Sequence, residues 1–189
     1  RASDFYKRFR ITGWIHDPSP LEDLPIVTPG DVLKGAAYGN NAYGKPSLGY
    51  LAMKDLLGDA MFRKCLHAYV DRWHGKHPTP WDFFNTFSDV SGTSLDWFWN
   101  DWFFTNDYID LAVRSVRRTP RGYSVVIDNV GGMDAPVTLR LRYADQTADS
   151  VHESPVIWRA DQKQATVSVT TGKRLASLVL DGGIFMDAD

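Results

Sequence analysis

Few side chains in this chain could do chemistry, and they are scattered. His67, His74 and His77 fall near the end of one helical segment. His67 and His74 share a helical face, but a metal site there needs a carboxylate or thiol at compatible spacing, and the sequence supplies none. His16 stands in a proline-rich connection with no spaced partner, which fits a surface imidazole. His152 and Glu153 open an H-E-x-x string, yet Val156 occupies the place of the second zinc-binding histidine, and Pro155 breaks the helix that such a motif requires. Cys65 is the chain's single cysteine, so an internal disulfide framework and a Cys-based zinc cluster are both excluded. On the apolar side of a predicted helix it reads as buried filler. There is no G-x-S-x-G, no phosphate-binding glycine loop and no C-x-x-C. Composition and spacing alone therefore give no self-sufficient active site.

The elements that would have to position any site are clearer. Pro78 to Phe104 holds four of the seven tryptophans and reads as two helices. Thr79 is placed to cap the first, Pro80 has a φ suited to its first position, Asp82 puts charge in its first turn, and Gly92 stops it. Ser94 is expected to cap the second, where Leu95, Phe98, Trp99, Trp102 and Phe103 recur at helical spacing as one apolar stripe that must be buried. Such a stripe is core and not a cofactor box. Upstream, Leu48, Leu51, Ala52 and Leu56 repeat with the same period after Pro46, and Gly58 ends the run. Asp59 then opens a helix with Phe62, Leu66, Tyr69, Val70 and Trp73 on one face and Arg63, Lys64, Asp71 and Arg72 on the other. Ser3 to Arg10 resembles the tail of a helix, and the prolines between Ile11 and Pro29 predict a connecting segment.

After Asn106 the period changes to two. Val137, Leu139, Leu141 and Tyr143 alternate with Thr138, Arg140 and Arg142, as in a strand with one buried and one wet face. Tyr123, Val125 and Ile127 repeat the pattern, as do Val167 and Val169, the set Ala176, Leu178 and Leu180, and, more weakly, Ile109, Leu111 and Val113. Short strands between turn signals predict an antiparallel β-sandwich. The expected fold class is thus α+β and multidomain, with an all-α helical unit over residues 1–106 followed by a β-sandwich over 107–189.

Hydrophobic residues at 43% and charged residues at 23% over 189 residues suit a globular protein with a substantial core. A net charge of -2 with no basic run argues against a nucleic-acid partner, and no apolar run approaches a membrane span. The start at Arg1 and the abrupt helix tail suggest a processed or partial chain, and no compartment can be assigned.

Tyr43-Gly44-Lys45-Pro46, the run Leu48 to Leu57 and Gly58-Asp59-Ala60-Met61-Phe62 resemble the Y-x-K-G…L…L-G-x-x-x-F pattern of the M1 family of zinc aminopeptidases. His77-Pro78-Thr79-Pro80, Asp82-Phe83, Ser91-Gly92 and Leu95 to Phe98 continue the resemblance as H-P-x-P-x-D-F…S-G-x-x-L-x-x-F-F. Asn129-Val130-Gly131 and Pro136-Val137 are similar to the β-domain that follows in that family. Pro46 departs from the commoner glycine.

The resemblance implies the C-terminal portion of a catalytic domain plus a β-domain. Family members bind zinc through H-E-x-x-H and a distal Glu, and hold the substrate amine through a G-x-M-E-N-type strand. These elements do not occur here and are expected before Arg1. On this basis the zinc belongs to the full-length parent, this piece binds none and is inactive alone, and its partners are a peptide substrate and the missing N-terminal catalytic segment. Tyr43 matches the family tyrosine that stabilises the oxyanion, a role suited to a phenol that stays a neutral donor at working pH. Lys45 is expected to be structural. The alternative is a peptidase-like scaffold or interaction module without catalysis.

Overall fold

The computed structural model describes residues 24–33, 36–185 and 187. The helix-tail reading of Ser3–Arg10, most of the proline-rich connection and His16 lie outside them. The described residues up to Asn106 form one compact unit and those from Asp107 another. The chain is mixed α and β, with helices in the first unit and two antiparallel three-stranded sheets in the second.

In the first unit, a short helix α1 (Ala36–Gly39) runs directly into a π-helical turn (Asn40–Gly44) and then into α2 (Lys45–Trp73). Gly58, at φ 74° and ψ 157°, interrupts α2 where the sequence predicts a stop, and a second helical stretch resumes at Asp59. A residue with a Cβ is disfavoured at such a φ. Next come α3 (Pro80–Ser91) and α4 (Asp96–Phe104). At the start of α3 the Thr79 amide and hydroxyl both donate to Asp82 Oδ2, at 2.7 and 2.8 Å, and Gly92 closes the helix in the left-handed region.

The start of α4 differs from expectation. Leu95 and not Ser94 holds the N-cap position, and the Ser94 hydroxyl instead accepts from the Asp96 amide at 3.4 Å while donating to the Asp96 carboxylate. Leu95 is therefore free to bury its side chain with the rest of the stripe. Leu95, Phe98, Trp99, Trp102 and Phe103 are all buried, and Phe84 and Phe87 of α3 meet them edge to face, with Phe84–Phe103 centroids at 5.1 Å and Phe87–Trp99 at 5.8 Å. Aromatic pairs in this arrangement add about 0.5–1.5 kcal/mol each beyond their area.

The second half of α2 packs its apolar face on α3 through Phe62–Phe87, Tyr69–Phe83 and the Trp73 indole facing Thr86. Val70 was expected on that face but is exposed. The contacts with α3 described here involve Phe62, Tyr69 and Trp73 and leave Val70 uncovered. Cys65 is fully buried beside the Phe87 carbonyl, and burial pushes its thiol pKa up, as suits an inert filler.

The second unit contains β1 (Leu111–Thr119), β2 (Gly122–Asn129), β3 (Val137–Tyr143), β4 (Ala148–Glu153), β5 (Gln164–Thr170) and β6 (Leu175–Leu180). One sheet has the order β1-β2-β5 and the other β4-β3-β6, all neighbours being antiparallel. The central strands follow their alternation closely. Tyr123, Val125 and Ile127 on β2, and Val137, Leu139, Leu141 and Tyr143 on β3, are buried, whereas Arg140 and Arg142 are exposed. Edge strands depart from it. Val113 and Val116 on β1 pair with the buried Ile127 and Val125 yet are exposed, because this edge strand has no neighbour on its outer side, and a shift opposite Arg142 and Tyr143 puts Ala176 out of register on β6, so Leu175 pairs in its place. A bulge reverses which parity faces inward.

Between the sheets' connections sits a buried polar knot. Asp134 accepts from Gln162 Nε2 at 2.7 Å and from Asn129 Nδ2 at 3.4 Å, and the Asn129 carbonyl oxygen takes the Gly132 amide. Burial, with Asp107 adding repulsion, pushes the Asp134 carboxyl up to about 7.

Two predictions follow from this packing. A Cβ on Gly49 would lie 3.3 Å from Trp102 and 3.6 Å from Phe103, so Gly49→Leu should destabilise the chain by ~1–3 kcal/mol in urea denaturation, and unchanged stability would contradict the close approach of α2 to α4. For Asp134, the unfolded carboxyl ionises near 4 while the folded one holds its proton to about 7. Its contribution is therefore fully present below pH 4 and is lost as pH rises to 7, on the order of a few kcal/mol in all. Denaturation of Asp134→Asn and the parent chain at pH 5 and pH 8 should show the variant gaining relative stability at the higher pH. An equal difference at both would remove this carboxyl as the cause.

Candidate functional site

Tyr43 lies in the π-helical turn between α1 and α2. Such turns are uncommon and recur at functional positions because the extra residue per turn re-aims a side chain. The ring is 49% exposed and makes an edge-on contact with Tyr38 at 6.3 Å, and Ser47 Oγ donates to the Tyr43 carbonyl oxygen. Its neighbours on either side are the opposite. Asn41 is 3% exposed, and its amide nitrogen donates to the carbonyls of Leu24 at 2.7 Å and Pro25 at 3.0 Å. Lys45 has no exposed surface, and its Nζ donates to the Thr105 carbonyl at 3.3 Å. Thr105 is the C-cap of α4, the end at which a helix presents its unpaired carbonyls and partial negative charge to a cation. The half-exposed phenol is therefore carried on a backbone pinned two residues before and two residues after it. Lys45, expected to be structural, is buried and hydrogen-bonded within the helical unit.

The other sequence candidates are dispersed. His67, His74 and His77 are all exposed, and His74 Nδ1 lies 2.9 Å from the Val70 carbonyl in its own helix. His152 and Glu153 belong to strand β4, where His152 Nδ1 meets Thr138 Oγ1 at 2.8 Å, and Pro155 begins a short 3-10 helix. The zinc-motif reading of that string fails on secondary structure as well as on spacing. Among the described residues, no group of three or more His, Cys, Asp or Glu is placed to hold a metal ion. No helix among them is long and apolar enough to cross a membrane.

Among the described residues, the helical unit carries at least two clefts. One of about 330 Å³ is lined by Tyr50, Tyr69, Phe83 and Phe103 with Ile26 and Val27, and burial, with some help from Tyr69, raises the Tyr50 phenol pKa, so that it stays a neutral donor. The other, of about 370 Å³, lies between α3 and α4 and is bordered by Trp81, Asn85, Asp96, Trp99, Asn100 and Phe104. The sequence reading placed Trp99 and Phe103 in a buried stripe and made no assignment for Trp81 and Phe104, which the structure leaves on the surface.

No protein-family model matches the chain, and no curated protein sequence matches it. Among solved structures, it is similar to a crystal structure of Legionella pneumophila aminopeptidase A in complex with aspartic acid, at a TM-score of 0.53 and 19% identity. The match covers 80% of this chain and 18% of that one, so this chain corresponds to less than a fifth of its neighbour's length. The similarity is one of fold.

Replacing the buried ammonium tests the geometry around Tyr43. Lys45→Met keeps most of the side-chain volume but leaves the Thr105 carbonyl without this donor, and should cost ~1–3 kcal/mol in denaturation. Lys45→Ala, which also opens a cavity, should cost more. A neutral Lys45→Met would show that this contact does not hold the turn.

Proposed function

We propose that this chain is part of a zinc-dependent M1-type aminopeptidase that removes N-terminal residues from peptides, and that Tyr43 is its contribution to the chemistry. The observation that carries the reading is the half-exposed phenol on a backbone pinned by the buried Asn41 and Lys45, within the Y-x-K stretch that resembles the family motif. The aminopeptidase-like fold supports it. Water attack on a peptide carbonyl places negative charge on the carbonyl oxygen, and a fixed neutral O–H donor stabilises that charge more than it stabilises the uncharged substrate. A tyrosine supplies such a donor without itself ionising.

The described residues contain no ligand set for zinc, so they do not fit the metal, and in this proposal its ligands are supplied by other polypeptide of the parent. We further propose a multidomain layout in which the two sheets of the second unit face each other as a β-sandwich. Each central strand has one buried face, and the Tyr123 hydroxyl on β2 takes the Leu175 amide of β6 at 2.8 Å, linking one sheet to the other.

In the full-length parent, Tyr43→Phe should lower kcat about 10²- to 10³-fold with little change in KM, read with an amino-acid anilide substrate. Full activity in that variant would reject the assignment.

A further inference from the structure

The cleft between α3 and α4 has a composition that the peptidase reading does not use. Trp81 is 51% exposed and stacks on the partly exposed Phe104, with centroids 5.1 Å apart and planes 23° from parallel. Beside this aromatic pair stand the Asp96 carboxylate and the amides of Asn85 and Asn100, all three exposed. From Pro78 to Val113 the sequence contains no Lys or Arg, and α3 and α4 carry Asp82, Asp89, Asp96 and Asp101. Arg72 of α2 meets Asp89, and among the described residues no Lys or Arg forms an ion pair with Asp96. Trp99, which also lines the cleft, is 3% exposed, and its indole N–H has no hydrogen-bond partner among the described residues. A buried donor without an acceptor is costly.

We propose that this cleft binds an arginine side chain presented by a peptide. A guanidinium is planar and weakly hydrated, so it stacks on the exposed aromatic surface of Trp81 and Phe104, and its fork of N–H donors suits the Asp96 carboxylate and the amide oxygens of Asn85 and Asn100. A compact ammonium offers no plane to stack and is more strongly hydrated, which sets lysine below arginine. The volume of about 370 Å³ is at the lower end of ligand sites and accommodates one side chain with its adjoining peptide units. None of the lining residues is Tyr43, and the proposal stands whether or not the peptidase reading does.

The test titrates the intact 189-residue chain with acetyl-Gly-Arg-Gly-amide, whose only charge is the guanidinium, while the indole and side-chain amide signals are followed by ¹H–¹⁵N NMR. The expected result is a saturable shift of the Trp81, Trp99, Asn85 and Asn100 side-chain signals. The peptide carrying citrulline in place of arginine, equal in shape and uncharged, should bind at least about tenfold more weakly, and the lysine peptide more weakly than the arginine one. Asp96→Asn and Trp81→Ala should each weaken binding by about the same factor; both positions are exposed, and the isosteric Asp96→Asn decides the matter if Trp81→Ala loses its dispersed spectrum. Equal binding of the citrulline or lysine peptide, undiminished binding by Asp96→Asn, or no saturable shift at millimolar peptide would overturn the proposal.

Discussion

The arrangement of the helical unit depends on one buried ammonium group. Lys45 begins α2 and reaches the last carbonyls of α4, sixty residues later in the chain, where it donates to Thr105. Leaving a charge in the interior is unfavourable unless it is hydrogen-bonded, so the lysine can be buried only where α4 ends. That requirement places the start of one helix against the finish of another, with the π-helical turn and Tyr43 immediately before it. The same end of α4 receives the Val27 amide on the Phe103 carbonyl, so the turn-rich segment around Val27 is held to it as well.

Hydrophobic burial supplies the driving force that this polar contact orients. The stripe on α4 covers itself with α3 on one side and with α2 on the other, and Gly49 allows α2 to come close because no side chain intervenes between its backbone and Trp102. A glycine inside a helix costs about 1 kcal/mol against alanine, a cost that closer packing of two large aromatics offsets here. In the second unit the same balance appears with different groups: apolar alternation buries one face of each sheet, while Asp134, Asn129 and Gln162 satisfy one another where loop backbone would otherwise be left unpaired.

Much of this was legible in the residues. The cap of α3, its glycine stop, the break at Gly58 and the apolar stripe of α4 follow from local rules that act within a turn or two. The central strands β2 and β3 were legible for a similar reason, since a strand with neighbours on both sides must bury one parity. The edge strands were less so, because β1 has no outer neighbour to cover Val113 and Val116, and no periodicity signals the bulge that takes Ala176 out of register on β6. Val70 escaped the same kind of reasoning, since the width of a buried stripe depends on how many partners cover it. The π-helical turn was also missed. Glycines and asparagines mark residues 35–46 as irregular without saying which irregular conformation they take.

By itself the sequence determined the main helices and central strands, their order and the change of period near Asp107, because these are properties of neighbouring residues. Only the tertiary structure decided that Lys45 is fully buried while Tyr43, two positions away, is half exposed, and that Trp81 and Phe104 remain at the surface beside Asp96 when the rest of the aromatic run is covered. The physical reason is that burial and partnership belong to pairs of residues far apart in the chain, and the local pattern around either member carries no record of the other.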